Sequence, residues 1–146
     1  MVPIESAPIS RAMLRRPRVL LVDDDPVVVR ALWRMLRQCR PNFQINTAAS
    51  PSQALDALSE LTYDVVITDL QMPEGGGAAV LRTLYESYPE TARIIHSSQL
   101  ESSDTAPLCA SAHAVLAKPA SEAQLLEAIE RALQSVARAS SACSAC

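Results

Sequence analysis

The residues best suited to chemistry in this chain are acidic, and they stand in two places. Asp23, Asp24 and Asp25 form a row before Pro26, and Asp69 closes the run DVVITD. Two hydroxyls, Ser97 and Ser98, end the run RIIHSS, and Lys118 precedes Pro119. Crowded carboxylates repel one another unless a cation joins them, and a hard divalent ion such as Mg2+ is the natural partner. Mg2+ binds through one or two carboxylates, keeps several waters and leaves room for phosphate oxygens. Phosphoryl transfer needs an in-line nucleophile and positive charge on the equatorial oxygens. On that chemistry Asp69 is the nucleophile, Asp23 and Asp24 hold the metal, and Ser97 and Lys118 donate to phosphoryl oxygens.

Singly, each residue has an ordinary explanation. Asp25 before Pro26 is a good helix cap, which is the role expected of it rather than metal binding. Asp69 could start a turn, Ser97 could be a buried hydroxyl, and a lysine before a proline is commonplace. Lys118 carries extra weight because it is the only lysine among 13 basic residues. A compact ammonium and a planar guanidinium are not interchangeable, so the exception points to a local requirement.

What would bring these residues together is the pattern between them. Five short apolar runs, at 19–22, 43–48, 64–69, 93–98 and 114–117, read as strands. The first and third are continuous and rich in β-branched residues, as in strands covered on both faces, while the second alternates and suits an edge. Helical periods separate them. Val28, Ala31, Leu32, Met35 and Leu36 give one apolar face, with Arg30, Arg34 and Arg37 on another, read as a solvated stripe. Ala54, Leu55, Leu58 and Leu61 follow the cap-like Ser50-Pro51, and Val80, Leu81, Leu84, Tyr85 and Tyr88 follow the turn Gly75-Gly76-Gly77. Leu125, Ile129, Leu133 and Val136 make the clearest stripe. The fourth helix, within 100–111, has few apolar anchors and Pro107 in its midst, so it should be short or displaced. Five strand–helix alternations imply an α/β three-layer sandwich on a parallel sheet. The carboxyl ends of such strands converge on one edge, the default site. Asp23, Asp69, Ser97 and Lys118 each fall just at or past a strand end.

Bulk properties bound the alternatives. With 146 residues, 49% hydrophobic and 20% charged, the chain is one globular domain with a loose segment at each end, 1–17 and 139–146. A net charge of −3 argues against a dedicated nucleic-acid binder. The charge is uneven: through Arg40 there are eight Arg against four acidic residues, and beyond it five basic against twelve acidic. No apolar run is long enough to span a bilayer, and the first residues lack the stretch of a secretory signal, so a cytoplasmic protein is the default expectation. Cys39 and Cys109 read as buried free thiols. Cys143 and Cys146 read as part of a small-residue tail rather than as a metal or redox site.

Over about residues 18–136 the chain resembles the receiver domains of two-component response regulators, chemotaxis receivers among them. VLLVDDDP, DVVITDLQMP, RIIHSS and LAKP occur in order. The resemblance implies a flavodoxin-like (βα)5 sandwich with strand order 2-1-3-4-5. It implies Asp69 as phosphoacceptor, Asp23 and Asp24 as the acidic metal pair for Mg2+, the backbone carbonyl of Gln71 as a further metal ligand, Ser97 as the switch hydroxyl and Lys118 as the family's lysine. Implied partners are a sensor histidine kinase or histidine phosphotransfer protein, and a downstream protein or an output domain outside this sequence. A homodimer would use the fourth helix, fifth strand and fifth helix. Neither direct nucleic-acid nor membrane binding is implied, and no enzymatic activity beyond self-catalysed phosphorylation and dephosphorylation.

Three positions depart from the pattern. Val115 stands three residues before the lysine, where the family often has Tyr or Phe. His96 replaces a usually aliphatic residue and is expected to be a hydrogen-bonded core histidine, with a pH-sensitive neighbour of the site as the alternative. Ser98 is bulkier than usual and is expected to narrow access to Asp69. Gln71 and Gln99, at the variable positions flanking the site, cannot act as bases toward water, which favours a long-lived phosphoryl group. The competing reading is a receiver-like interaction module that works without phosphorylation. Aspartate-nucleophile phosphatases want a second Asp at position 71, and dinucleotide enzymes want a glycine motif where DDDP stands; both fit poorly.

Overall fold

The structure, a computed structural model, describes residues 16–73, 76–100 and 106–144, with the backbone alone over 140–144. The run RVLLV forms β1 (Arg18–Val22). Side chains alternate faces along a strand. Val19 and Leu21 therefore enter one apolar layer and Leu20 and Val22 the other, which is why the run is continuously apolar. β2 (Gln44–Ala48), β3 (Val65–Thr68), β4 (Ala92–Ser97) and β5 (Ala114–Ala117) complete one parallel sheet of order β2-β1-β3-β4-β5. This is the flavodoxin-like order expected from the resemblance.

Five helices cover the sheet. α1 (Pro26–Cys39) and α5 (Glu122–Ser144) pack Leu32, Leu36, Leu125 and Ile129 against Val19, Leu21, Ile67 and Ile94. On the other face α2 (Pro51–Glu60) and α3 (Gly76–Ser87) bring Ala54, Leu58, Val80 and Leu84 to Leu20, Val22 and Val66. α4 (Ala106–Ser111) is one short helix whose Leu108 and Cys109 lean on Leu81 and Ile95. The caps are local. Asp25 accepts from the Val27 N–H at 3.0 Å with Pro26 behind it, as its sequence position suggested. Ser50 does the same for Gln53 at 3.1 Å. Ser121 and Gln124 cap α5 reciprocally, at 3.2 and 2.9 Å.

Several expectations need correction. α4 begins at Ala106, so Pro107 sits in its first turn, where a missing N–H costs nothing, rather than in mid-helix. Residues 101–105 lie outside the described ones. Arg16 and Pro17 are already held: Arg16 Nε donates to the Asn42 carbonyl at 2.8 Å, and the Pro17 carbonyl accepts from Gln44 N at 2.8 Å. At the other end the α5 backbone continues to Ser144, past the expected boundary at 138, through an Ala- and Ser-rich stretch without Gly or Pro to stop it. The side chain of Cys143, and Cys146 altogether, lie outside the described residues, as do residues 1–15 and Gly75. Cys39 and Cys109 are half-buried rather than buried: Cys39 is the last residue of α1, and Cys109 sits on the short α4, which has no fully buried residue. Arg30, Arg34 and Arg37 form the exposed face expected, with Arg37 5.7 Å from the centre of the Trp33 ring.

Candidate functional site

The parallel register sets the site. Val22 pairs with Ala48 and Thr68, so β2, β1 and β3 end level, while Thr68 pairs with Ile95, so β4 and β5, ending at the pair Ser97 and Ala117, run two residues further. The ladder then runs one residue further: Asp23 N donates to the Ala48 carbonyl at 3.1 Å, Asp69 N to Val22 at 3.0 Å and Lys118 N to Ser97 at 3.0 Å. Sheet hydrogen bonds thus hold the backbone at Asp23, Asp69 and Lys118, leaving little freedom except in the side chains.

Those side chains meet. Lys118 Nζ donates to Asp23 Oδ2 at 2.8 Å and to Asp69 Oδ2 at 2.9 Å. Asp69 Oδ1 accepts from the Gln71 N–H at 3.2 Å, and Asp23 Oδ1 from the Asp25 N–H at 3.0 Å. Asp23 and Asp69 are buried and Asp24 is exposed at the rim, yet carboxylate oxygens of all three lie within 4.8 Å of one another. Burial pushes the Asp23 carboxyl above its ordinary value, although Lys118 and the Asp25 N–H pull the other way. Burial also acts to lower Lys118, but its bonds to Asp23 and Asp69 outweigh that and hold it above its ordinary value, fully charged.

Ser97 is fully buried at the end of β4. Its Oγ donates to the side-chain carbonyl of Gln71, and it accepts from Gln99 N at 3.3 Å. The half-buried Gln71 side chain, expected beside the site, is thereby bonded to Ser97, a contact across 26 positions that the sequence did not suggest. A second unforeseen feature is the pair Gly76 and Gly77. A Cβ on Gly77 would lie 1.9 Å from the Asp69 carbonyl oxygen, and one on Gly76, at φ +57°, 2.4 Å from that of Leu70. These glycines let the start of α3 press against the strand that carries Asp69. The signal was the glycine run itself, read there only as a turn.

Two departures have outcomes. His96 is buried, 4% exposed, but neither ring nitrogen has a hydrogen-bond partner among the described residues, so it is not the hydrogen-bonded core histidine expected. It points to the Ile94 face of β4 and lines a 170 Å³ cavity with Lys118 and the α1 residues Val28, Leu32 and Met35, whose apolar side chains carry no N–H, O–H or oxygen. Burial, with the nearby Lys118 charge, pushes it down to about 4. Val115 is exposed on β5, and no ring stands at that position; Ser98 and Gln99 are exposed too.

The acidic edge fits a divalent cation. Three carboxylates against one ammonium leave two negative charges, Asp24 is open to solvent, and the oxygens are close enough to share one ion. A parallel (βα)5 sandwich with an acidic pocket and a bridging lysine at its carboxyl edge is a signalling fold of the flavodoxin-like class. The chain belongs to the response regulator receiver domain family, whose model matches residues 19–130. It is 31% identical over 124 residues to a protein-glutamate methylesterase/protein-glutamine glutaminase of Bdellovibrio bacteriovorus, covering 83% of this chain and 35% of that protein. It is 41% identical over 66 residues to a two-component response regulator of Oryza sativa subsp. japonica, covering 44% of this chain and 11% of that one. The chain thus spans about a third or less of these relatives' length. Among solved structures, the signal receiver domain of an HD domain-containing protein from Pseudomonas fluorescens Pf-5 superposes with TM-score 0.77 at 27% identity, covering 84% of this chain and 98% of that one. A receiver domain from Clostridium thermocellum gives 0.71 at 29%, covering 80% and 94%. No helix among the described residues is long and apolar enough to cross a membrane.

Proposed function

We propose that this receiver is a phosphorylatable switch in which Asp69 takes a phosphoryl group from the phosphohistidine of a sensor kinase or phosphotransfer protein. The observation that carries the reading is Lys118, the chain's single lysine, bridging Asp23 and Asp69 at 2.8 and 2.9 Å. It already stands where charge develops on a phosphoryl group leaving for Asp69. A carboxylate oxygen of Asp69 attacks phosphorus, the bond to the imidazole nitrogen breaks, and a mixed anhydride remains on Asp69. Lys118 then covers one phosphoryl oxygen, and Ser97 can turn its hydroxyl toward another. Asp23, Asp24, Asp69 and the carbonyl of Gln71 are the groups that would hold Mg2+, which when bound neutralises charge on the transferring oxygens. New charge and hydrogen bonds at this edge bias a two-state equilibrium read by a partner.

That partner is a downstream protein or an output domain in the same polypeptide, a reading supported by relatives that are longer than this chain. The exposed Val115 on β5 supports a contact between two copies through α4, β5 and α5. An acidic chain with no apolar spanning helix among its described residues supports a cytoplasmic site of action away from nucleic acid and lipid. A second reading, binding without phosphorylation, draws on the missing aromatic at Val115.

The two readings part in one experiment. Incubation with Mg2+ and a small phosphodonor should add one phosphoryl mass to the wild type and none to Asp69→Asn. No adduct on the wild type would leave the binding-only reading standing.

A further inference from the structure

We infer that Gln71 is a positioning residue that latches Ser97 in the unphosphorylated state, so that phosphorylation is read by breaking the Gln71–Ser97 hydrogen bond. The inference rests on the reading of Asp69 as phosphoacceptor and goes beyond it. A serine hydroxyl has one proton to give. Here that proton is given to the Gln71 side-chain carbonyl, while Gln99 N, 3.3 Å away, occupies a lone pair of the same oxygen. Ser97 cannot donate to a phosphoryl oxygen on Asp69 until it rotates away from Gln71.

Gln71 also touches the acceptor, through its backbone. The Gln71 N–H donates to Asp69 Oδ1 at 3.2 Å, so the backbone of Gln71 reports to the nucleophile and its side chain to the switch hydroxyl. Once Ser97 turns to the phosphoryl group, the half-buried Gln71 amide loses its partner and is free to reorganise beside Gln99 and the start of α3. Val115, an exposed β5 residue without a ring, leaves no aromatic rotamer at the usual place to carry the signal. Gln71, 26 positions from Ser97 and bonded to it, supplies a discrete two-state contact instead.

The test uses beryllofluoride with Mg2+ as a stable phosphoryl mimic, titrated into the full chain by calorimetry. Gln71→Leu removes the acceptor but keeps the backbone, and Gln71→Ala checks that added bulk is not the cause. Loss of one neutral hydrogen bond that opposes binding should tighten the complex about three- to tenfold. In the Ser97→Ala background, which has no hydroxyl to latch, Gln71→Leu should change affinity by less than about twofold, the signature of a coupled pair. Equal tightening in both backgrounds would overturn the latch, because Gln71 would then act on the site directly. Unchanged or weaker binding by Gln71→Leu and Gln71→Ala would overturn it as well. If the wild type itself fails to bind beryllofluoride, the phosphoacceptor reading falls and the latch with it.

Discussion

Replacing His96 by leucine is expected to stabilise the protein, and increasingly so as the pH falls. The neutral imidazole offers one donor and one acceptor, and both are buried without a partner among the described residues. A buried polar group left unsatisfied costs about 1–3 kcal/mol. Leucine is of similar bulk, carries no polar atom, and matches Ile94 on the same face of β4. Near neutral pH the gain should be about 2 kcal/mol, which moves a urea midpoint up by about 1 M for a slope of about 2 kcal/mol per M. Protonation adds to this. The ring is held down at about 4 in the folded protein against 6.5 when free, chiefly by burial. Above the free value neither state is charged and the shift contributes nothing. As the pH drops below it, the unfolded chain takes up the proton first, and folding loses stability until the folded ring titrates too. The full difference is about 3 kcal/mol, of which about 2 is reached by about pH 5. His113, also pushed down to about 4 by burial and by Arg93, remains in the variant, so its pH profile should be flatter than wild type but not flat. Urea unfolding at about pH 7.5 and about pH 5 measures both parts. An unchanged or lower midpoint, with the wild-type pH dependence retained, would mean that His96 is paired in the folded protein.

Lys118→Met should cost about 3 kcal/mol without divalent ions, since it leaves two buried carboxylates uncompensated, and added Mg2+ should recover part of that in a thermal melt. Gly77→Ala should lower the melting midpoint by several degrees and weaken Mg2+ binding, because its Cβ would lie 1.9 Å from the Asp69 carbonyl oxygen, a backbone atom that cannot step aside. Gln99→Glu should shorten the life of phosphoryl-Asp69, since an exposed carboxylate beside the site can orient an attacking water. Phosphate release measured against wild type checks this, and equal rates would count against a protective role for the amide.

The fold was legible because each strand carries its own instruction. The uninterrupted Val19–Val22, short and closed by the polar run DDDP, reads as a strand covered on both sides, and the Asp25 and Ser50 caps mark where chain turns to helix. The grouping of the candidate residues was legible for a related reason: a parallel sheet brings every strand end to one edge, so residues 23, 69, 97 and 118 could be placed together from the order of strands alone. What escaped was side-chain pairing across elements. Nothing in the order of residues says that Ser97 gives its proton to Gln71, or that α1 presents only apolar side chains to His96. The extent of α5 escaped too, because a run of Ala and Ser suits a helix as well as a tail. The missing aromatic at Val115 was visible in the sequence, but what could replace it was not.

The central claim is that Asp69, and not a neighbouring acid, takes the phosphoryl group. Borohydride reduces an acyl phosphate of aspartate to homoserine, so reduction after treatment with Mg2+ and a phosphodonor, followed by peptide sequencing in the mass spectrometer, locates the modified residue. The account predicts homoserine at position 69 alone. Homoserine at position 23 or 24, or at neither these nor 69, would contradict it.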